Sequence, residues 1–335
     1  MRRRQFLQYL SVVGGAALLD WDRLGALLQG SSAADDPLVD GLEAITTRCA
    51  LQIETAVPSR LLPAVESHLG LMTGALRASQ PGPRRRRLLS LAGETSVLAG
   101  WLSYLRENRG DARRSWAYAL ELARESGDAR LMAITLAMQR VLHSTIPNGG
   151  RYGSPARALA FLDQAETRLG RASSPHARVM ILAKRAEEHA AAGDAAAAWR
   201  DLDLAEDLVE RLPFRDDGLF AHWDAARIAG YRGSCAMALG RPREAVAVLE
   251  TALAATSPAL RGQHCAVTTD LAAAYAEQGE VERSCRLLTA SLDAAQRSGL
   301  EELVLRIVGA RRHLGRWQES AHVRQLDERL LLVHA

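Results

Sequence analysis

Lysine, aromatic rings and alternating β-branched runs are all scarce in this chain, and each scarcity excludes something. One lysine, Lys184, stands among 42 basic residues, and 39 acidic residues leave a net charge of +3. So balanced a charge does not by itself imply nucleic acid. Aromatics make up 5% of the residues, while the apolar 48% is mostly alanine and leucine. Such a core is built from small side chains between closely packed helices. Without β-branched alternation there is no sizeable sheet. The four cysteines, Cys49, Cys235, Cys265 and Cys285, form no Cys-x-x-Cys pair, and no His/Cys cluster has zinc spacing. Buried, reduced thiols are expected. Phosphate-cradling Gly-x-x-x-x-Gly-Lys, Gly-x-Ser-x-Gly and His-Glu-x-x-His are absent. The reading is non-enzymatic, with no cofactor and no metal.

What recurs is glycine between alanine-rich helical stretches. Gly110, Gly193, Gly240, Gly279 and Gly315 stand at corresponding places, and Gly153 fills the gap between the first two. Helix pairs repeating at that interval form a solenoid, in which no unit folds alone. The fold expected is all-α, a right-handed solenoid of helical hairpins over residues 37–335 with a C-terminal capping helix. Residues 1–36 read as an N-terminal helix or linker. Asp35 or Asp36 is the cap for the first array helix, with Pro37 in its first turn. The dense basic run Arg84–Arg87 reads as a solvated loop or helix start.

The first residues admit two readings. Arg2-Arg3-Arg4-Gln5-Phe6-Leu7, followed by a short apolar run, matches a twin-arginine export signal. The run is shorter than the about twenty residues a membrane helix needs. Asp20-Trp21-Asp22-Arg23 follows it, and the apolar pattern resumes at Leu24, Leu27 and Leu28, as in a continuing amphipathic helix. A cytoplasmic location is expected, with export as the alternative.

Around the turn glycines, small residues recur. Ala186, Gly233 and Ala272 lie seven before; Ala198 and Ala245 five after; Ala205 and Ala252 twelve after. With Tyr275 four before Gly279, the pattern resembles the tetratricopeptide repeat. Ser284 and Ser291 replace the alanines after Gly279, and Leu122 occupies a small position after Gly110. A wider resemblance rests on Arg-Arg-Gln-Phe-Leu, on the segments 18–24 and 92–102, and on Ala225–Cys235. These are similar to the regulatory region of lambda-repressor-like (XRE-type) helix-turn-helix regulators of high-GC Gram-positive bacteria. There a DNA-binding domain precedes the Arg-Arg-x-Phe-Leu segment. This sequence starts at that segment, so DNA binding is not carried over; an upstream start codon would restore it.

The resemblance implies a regulatory or scaffold protein, in transcriptional regulation, whose concave groove binds a ligand. A tetratricopeptide register turns the first helix of each pair inward and projects Tyr104, Gln139, Glu187, Arg227 and Ser234 into the groove. Arg227 is the leading candidate, because guanidinium grips carboxylates bidentately. A peptide C-terminus or an acidic metabolite would suit it; pairing with a neighbouring helix's carboxylate is the alternative. Glu187-Glu188-His189 reads as a solvated or packing stretch, and Trp223 as core. The partners expected are a protein or peptide, a small-molecule effector, or a second copy in a homodimer. Direct nucleic-acid binding by this chain and a membrane span are not expected.

Overall fold

The computed structural model describes residues 35–146, 153–170, 174–211 and 223–333. The N-terminal segment carrying the export-like motif lies outside them. Fourteen α-helices, with no strand among the described residues, run as six packed hairpins followed by a last pair whose second helix packs on the preceding outer helix. They are α1 (Asp36–Gln52), α2 (Pro58–Ala78), α3 (Pro83–Leu105), α4 (Arg109–Ser126), α5 (Ala129–Gln139), α6 (Pro155–Leu169), α7 (Pro175–Ala191), α8 (Ala195–Arg211), α9 (Ala225–Ala238), α10 (Pro242–Ala255), α11 (Arg261–Glu277), α12 (Val281–Ser298), α13 (Glu301–Arg311) and α14 (Ala321–Val333). Short 3₁₀ stretches extend α5 over Arg140–Leu142 and α13 over Arg312–Trp317. No helix among the described residues is long and apolar enough to cross a membrane.

Local chemistry sets the starts. Proline opens α2, α3, α6, α7 and α10, where its missing N–H leaves no donor unpaired. Asp35 caps α1, accepting from the Leu38 amide at 3.1 Å. Asp128 and Asp224 cap α5 and α9 in the same way. The Arg84–Arg87 run begins α3, where Arg84 pairs with Asp36, Arg85 with Glu125, and Arg87 with Asp40 and Glu43.

The odd-numbered helices form an inner layer and the even-numbered ones an outer layer. Outer helices bury a stripe, broad in α2 and narrow in α10, which buries only Ala245, Leu249 and Ala252. Inner helices are covered on nearly every side, so α3 buries Leu88, Ala92, Ser96, Leu98 and Leu102 together with Tyr104. A helix apolar around its circumference belongs inside. The small residues sit at the hairpin seams: Ala186, Ala198, Ala205, Ala245, Ala252 and Ala272 are all buried. At Gly233 a Cβ would overlap Leu249 of the paired helix. Ser284, in an alanine position, is equally buried and donates to the Ala272 carbonyl at 2.8 Å.

The glycines are not all equivalent. Gly193, Gly240 and Gly279 take left-handed φ of 82°, 71° and 82° at the hairpin turns. Gly110 lies inside α4, and the left-handed residue of that turn is Glu107, at φ 55°. Gly315 lies in the 3₁₀ stretch after α13 and has no positive φ. Two of the five therefore mark the repeat in sequence without performing the turn.

The solenoid curves until its ends meet. Inner helices pack in series from α1 to α13, and α13 returns to α3. The Tyr104 hydroxyl on α3 donates to Glu302 on α13 at 3.1 Å. Just beyond α1, the Glu54 carbonyl accepts from the Arg261 amide of α11 at 3.1 Å. The Glu54 carboxylate pairs with Arg227 of α9 at 2.9 Å.

Candidate functional site

Closing the ring encloses a cavity of about 200 Å³. Its lining comes from the inner layer and the segments flanking those helices; no outer helix contributes. The residues recur at helical spacing: Val97, Trp101 and Tyr104 on α3; Lys184 and Glu187 on α7; Arg227, Gly230, Tyr231 and Ser234 on α9. On α11 the same stripe is Gln263, Ala266, Val267 and Asp270, and on α13 it is Glu302, Leu303 and Arg306. Residues at i, i+3, i+4 and i+7 share one helix face. Apolar walls come from Ile134, Met138, Val141, Met180 and Val267.

Charge inside the cavity is organised in pairs. Arg140, at the 3₁₀ turn after α5, is 2% exposed. Its guanidinium donates to Glu187 Oε2 at 2.8 Å, to Glu188 and to Ser144 Oγ at 3.1 Å. Burial works against its charge, but the Glu187 and Glu188 carboxylates outweigh it and hold the pKa above the usual arginine value. Burial raises the Glu188 pKa, and Arg140 opposes it. Arg306 grips Asp270 bidentately, at 2.8 and 2.5 Å, and reaches Ser234 Oγ at 3.3 Å. Glu302 accepts from the Tyr104 hydroxyl and forms no ion pair among the described residues; burial pushes it up to about 7 despite Arg306 and the Tyr104 hydroxyl. Trp223 stacks on Tyr231 with centroids 5.7 Å apart, and Trp101 on Tyr104 at 5.3 Å. The Lys184 ammonium lies over both indoles, 5.7 Å from the Trp101 centroid and 5.4 Å from that of Trp223. Burial, with Arg140 next, brings its pKa down to about 7.

Of the five residues projected inward by register, Tyr104, Glu187, Arg227 and Ser234 line this cavity. Gln139 is half-buried and does not, although Met138 and Arg140 on either side of it do. Arg227 pairs with Glu54 and lies 5.3 Å over the Trp223 ring. Of the solvated or packing reading of Glu187 and Glu188, the packing half describes them: both are buried. Adjacent helix positions diverge by about 100°, yet both carboxylates reach one guanidinium seated in the groove between α5 and α7. Trp223 is a cavity wall as well as core.

Arg140, Asp270, Glu302 and Arg306 were invisible to the register argument. One signal was available. Asp270–Arg306, Glu94–Arg130, Glu277–His313 and Asp293–Arg329 are all ion pairs 36 residues apart, the interval between Gly279 and Gly315. Equivalent positions on successive hairpins face one another, so acid and base one repeat apart pair across the seam.

No family model matches the chain, and no curated protein matches it in sequence. Among solved structures it is similar to a Rap protein complexed with competence and sporulation factor, at 12% identity and a TM-score of 0.56, covering 98% of this chain and 96% of that one. At this identity the likeness shows the fold: an all-helical, tetratricopeptide-like solenoid.

Proposed function

We propose that this chain is a non-enzymatic tetratricopeptide-type regulatory or scaffold protein, acting in transcriptional regulation, that holds a short peptide, a protein segment or a small molecule in its interior cavity. The observation that carries this reading is that the inner layer of hairpins contributes to one cavity, at the place where α13 returns to α3 and the segment after α1 meets α9 and α11. A ligand seated there touches both ends of the solenoid at once. Its binding energy then bears on ring closure and on whatever surface the closed ring presents to a partner. The Rap protein of similar fold, solved in complex with a factor, supports a ligand-holding use.

The test is binding of short N-acetylated hydrophobic peptides, read by thermal unfolding and by indole fluorescence from Trp101 and Trp223. A bound peptide at a hundredfold its Kd stabilises the chain by about 2.7 kcal/mol. Ala266→Trp, which fills the cavity, should abolish the response. Equal binding by that variant would place the ligand elsewhere.

A further inference from the structure

Among the described residues, every cation deep in the cavity has a carboxylate partner except one. Arg140 meets Glu187 and Glu188, Arg227 meets Glu54, and Arg306 meets Asp270. Arg261, also on the lining, is exposed to solvent. Lys184 is 4% exposed. Among the described residues no carboxylate, carbonyl or hydroxyl accepts a hydrogen bond from its ammonium, whose neighbours are the two indole faces. Burying an ammonium without an anion is among the costlier arrangements a fold can keep. The chain keeps its only lysine there, although arginine serves at all its other cationic side chains apart from histidine. Lysine differs by offering a compact point charge on a flexible stem, suited to one small anion at a distance that varies.

We infer that Lys184 is the anchor for a single carboxylate carried by an otherwise apolar ligand. The inference rests on the cavity being the ligand site and names the class of ligand. A phosphate would bring more charge and more acceptor oxygens than one ammonium answers, and the arginines nearby are already engaged. The body of the ligand lies against Val97, Ile134, Met138 and Met180. Its carboxylate enters between Trp101 and Trp223 and replaces π-faces by a charge-assisted hydrogen bond. Arg227, the candidate by register, is already neutralised by Glu54 and positions Trp223 instead.

A proton signature follows. Burial, Arg140 and Arg227 depress the Lys184 pKa, while Glu187 and Glu54 oppose them, leaving it near 7. The other ionisable groups on the lining are Tyr104, Tyr231, Arg261, Glu302 and the Asp270–Arg306 pair. An incoming carboxylate raises the Lys184 pKa, so binding above pH 7 takes up a proton. Glu302, which the same carboxylate would push upward, is the competing source of uptake.

The experiment uses the full chain and three probe sets: short N-acetylated hydrophobic peptides with a free C-terminus, the same peptides amidated, and decanoate. Free acids should bind at least about tenfold more tightly than amides. Lys184→Met and Lys184→Gln should lose that advantage. Calorimetry in phosphate and Tris should show proton uptake in the wild type and in Glu302→Gln, but not in Lys184→Gln. Which of the peptide acids or decanoate binds identifies the source of the carboxylate. Acids and amides binding alike, or Lys184→Gln keeping the preference, would overturn the anchor and leave the cavity as the site. No binding by any probe set would overturn both.

Discussion

Replacing Lys184 by methionine should stabilise the ligand-free protein at neutral pH. The ammonium is held at a pKa of about 7 against an ordinary value of 10.5, with burial the main cause. At about 1.4 kcal/mol per pH unit, that gap corresponds to roughly 4–5 kcal/mol disfavouring the folded state while the group is charged in both states. Methionine of similar length removes this cost and forfeits two cation–π contacts worth about 1 kcal/mol each. The expected net gain is about 2–3 kcal/mol at pH 7. The sign with pH is fixed by linkage. Between pH 7 and 10.5 the unfolded chain holds the lysine proton and the folded chain does not, so the wild type gains stability as pH rises through that window. Lys184→Met should lack that rise. Urea unfolding followed by tryptophan fluorescence at pH 7 and pH 9 measures both quantities. A variant less stable than wild type at pH 7, or one with the same rise toward pH 9, would refute the reasoning.

Glu302 runs the other way. Its pKa of about 7 against an ordinary 4.5 means that the folded state holds the extra proton, so stability falls as pH rises from 4.5 to 7; Glu302→Gln, which can still accept from Tyr104, should flatten that fall. Arg140→Met leaves the buried Glu187 and Glu188 without their cation and should cost about 3–5 kcal/mol by urea unfolding, with less loss in acid, where the carboxylates protonate. Gly233→Ala forces a Cβ into Leu249 and should cost about 1–3 kcal/mol, whereas the same change at Gly70, which has open space around it, should cost little. All four cysteines are buried and free, and burial raises each thiol pKa, to about 12 for Cys49 and about 11 for Cys265. A thiol reagent should therefore titrate none rapidly in the native protein and all four after denaturation.

The fold was legible because its physics is local. Prolines at helix starts, aspartate caps, left-handed glycines at three hairpin turns and small residues at the seams each act within one hairpin or between neighbours. A distant partner shapes the end of α5: the helix stops at Gln139 as the chain tightens into a 3₁₀ turn that seats Arg140 against Glu187 and Glu188. Gly110 and Gly315 share the spacing of the turn glycines but not their conformation, since spacing records the repeat and not the backbone angle.

The cavity was legible only in part. Helical register put Tyr104, Glu187, Arg227 and Ser234 on inward faces, because facing is a property of one helix. It could not say which inward charges meet. Glu54 reaches Arg227, and Glu302 reaches Tyr104, across more than half of the chain's length, because a solenoid sums small rotations until early and late hairpins touch. The sequence by itself determined an alanine-seamed helical array with one lysine in it. Only the tertiary structure decided that the array closes, that its arginines find carboxylates there, and that the lysine does not. Burial and pairing depend on the accumulated curvature of every hairpin, which no single stretch of residues encodes.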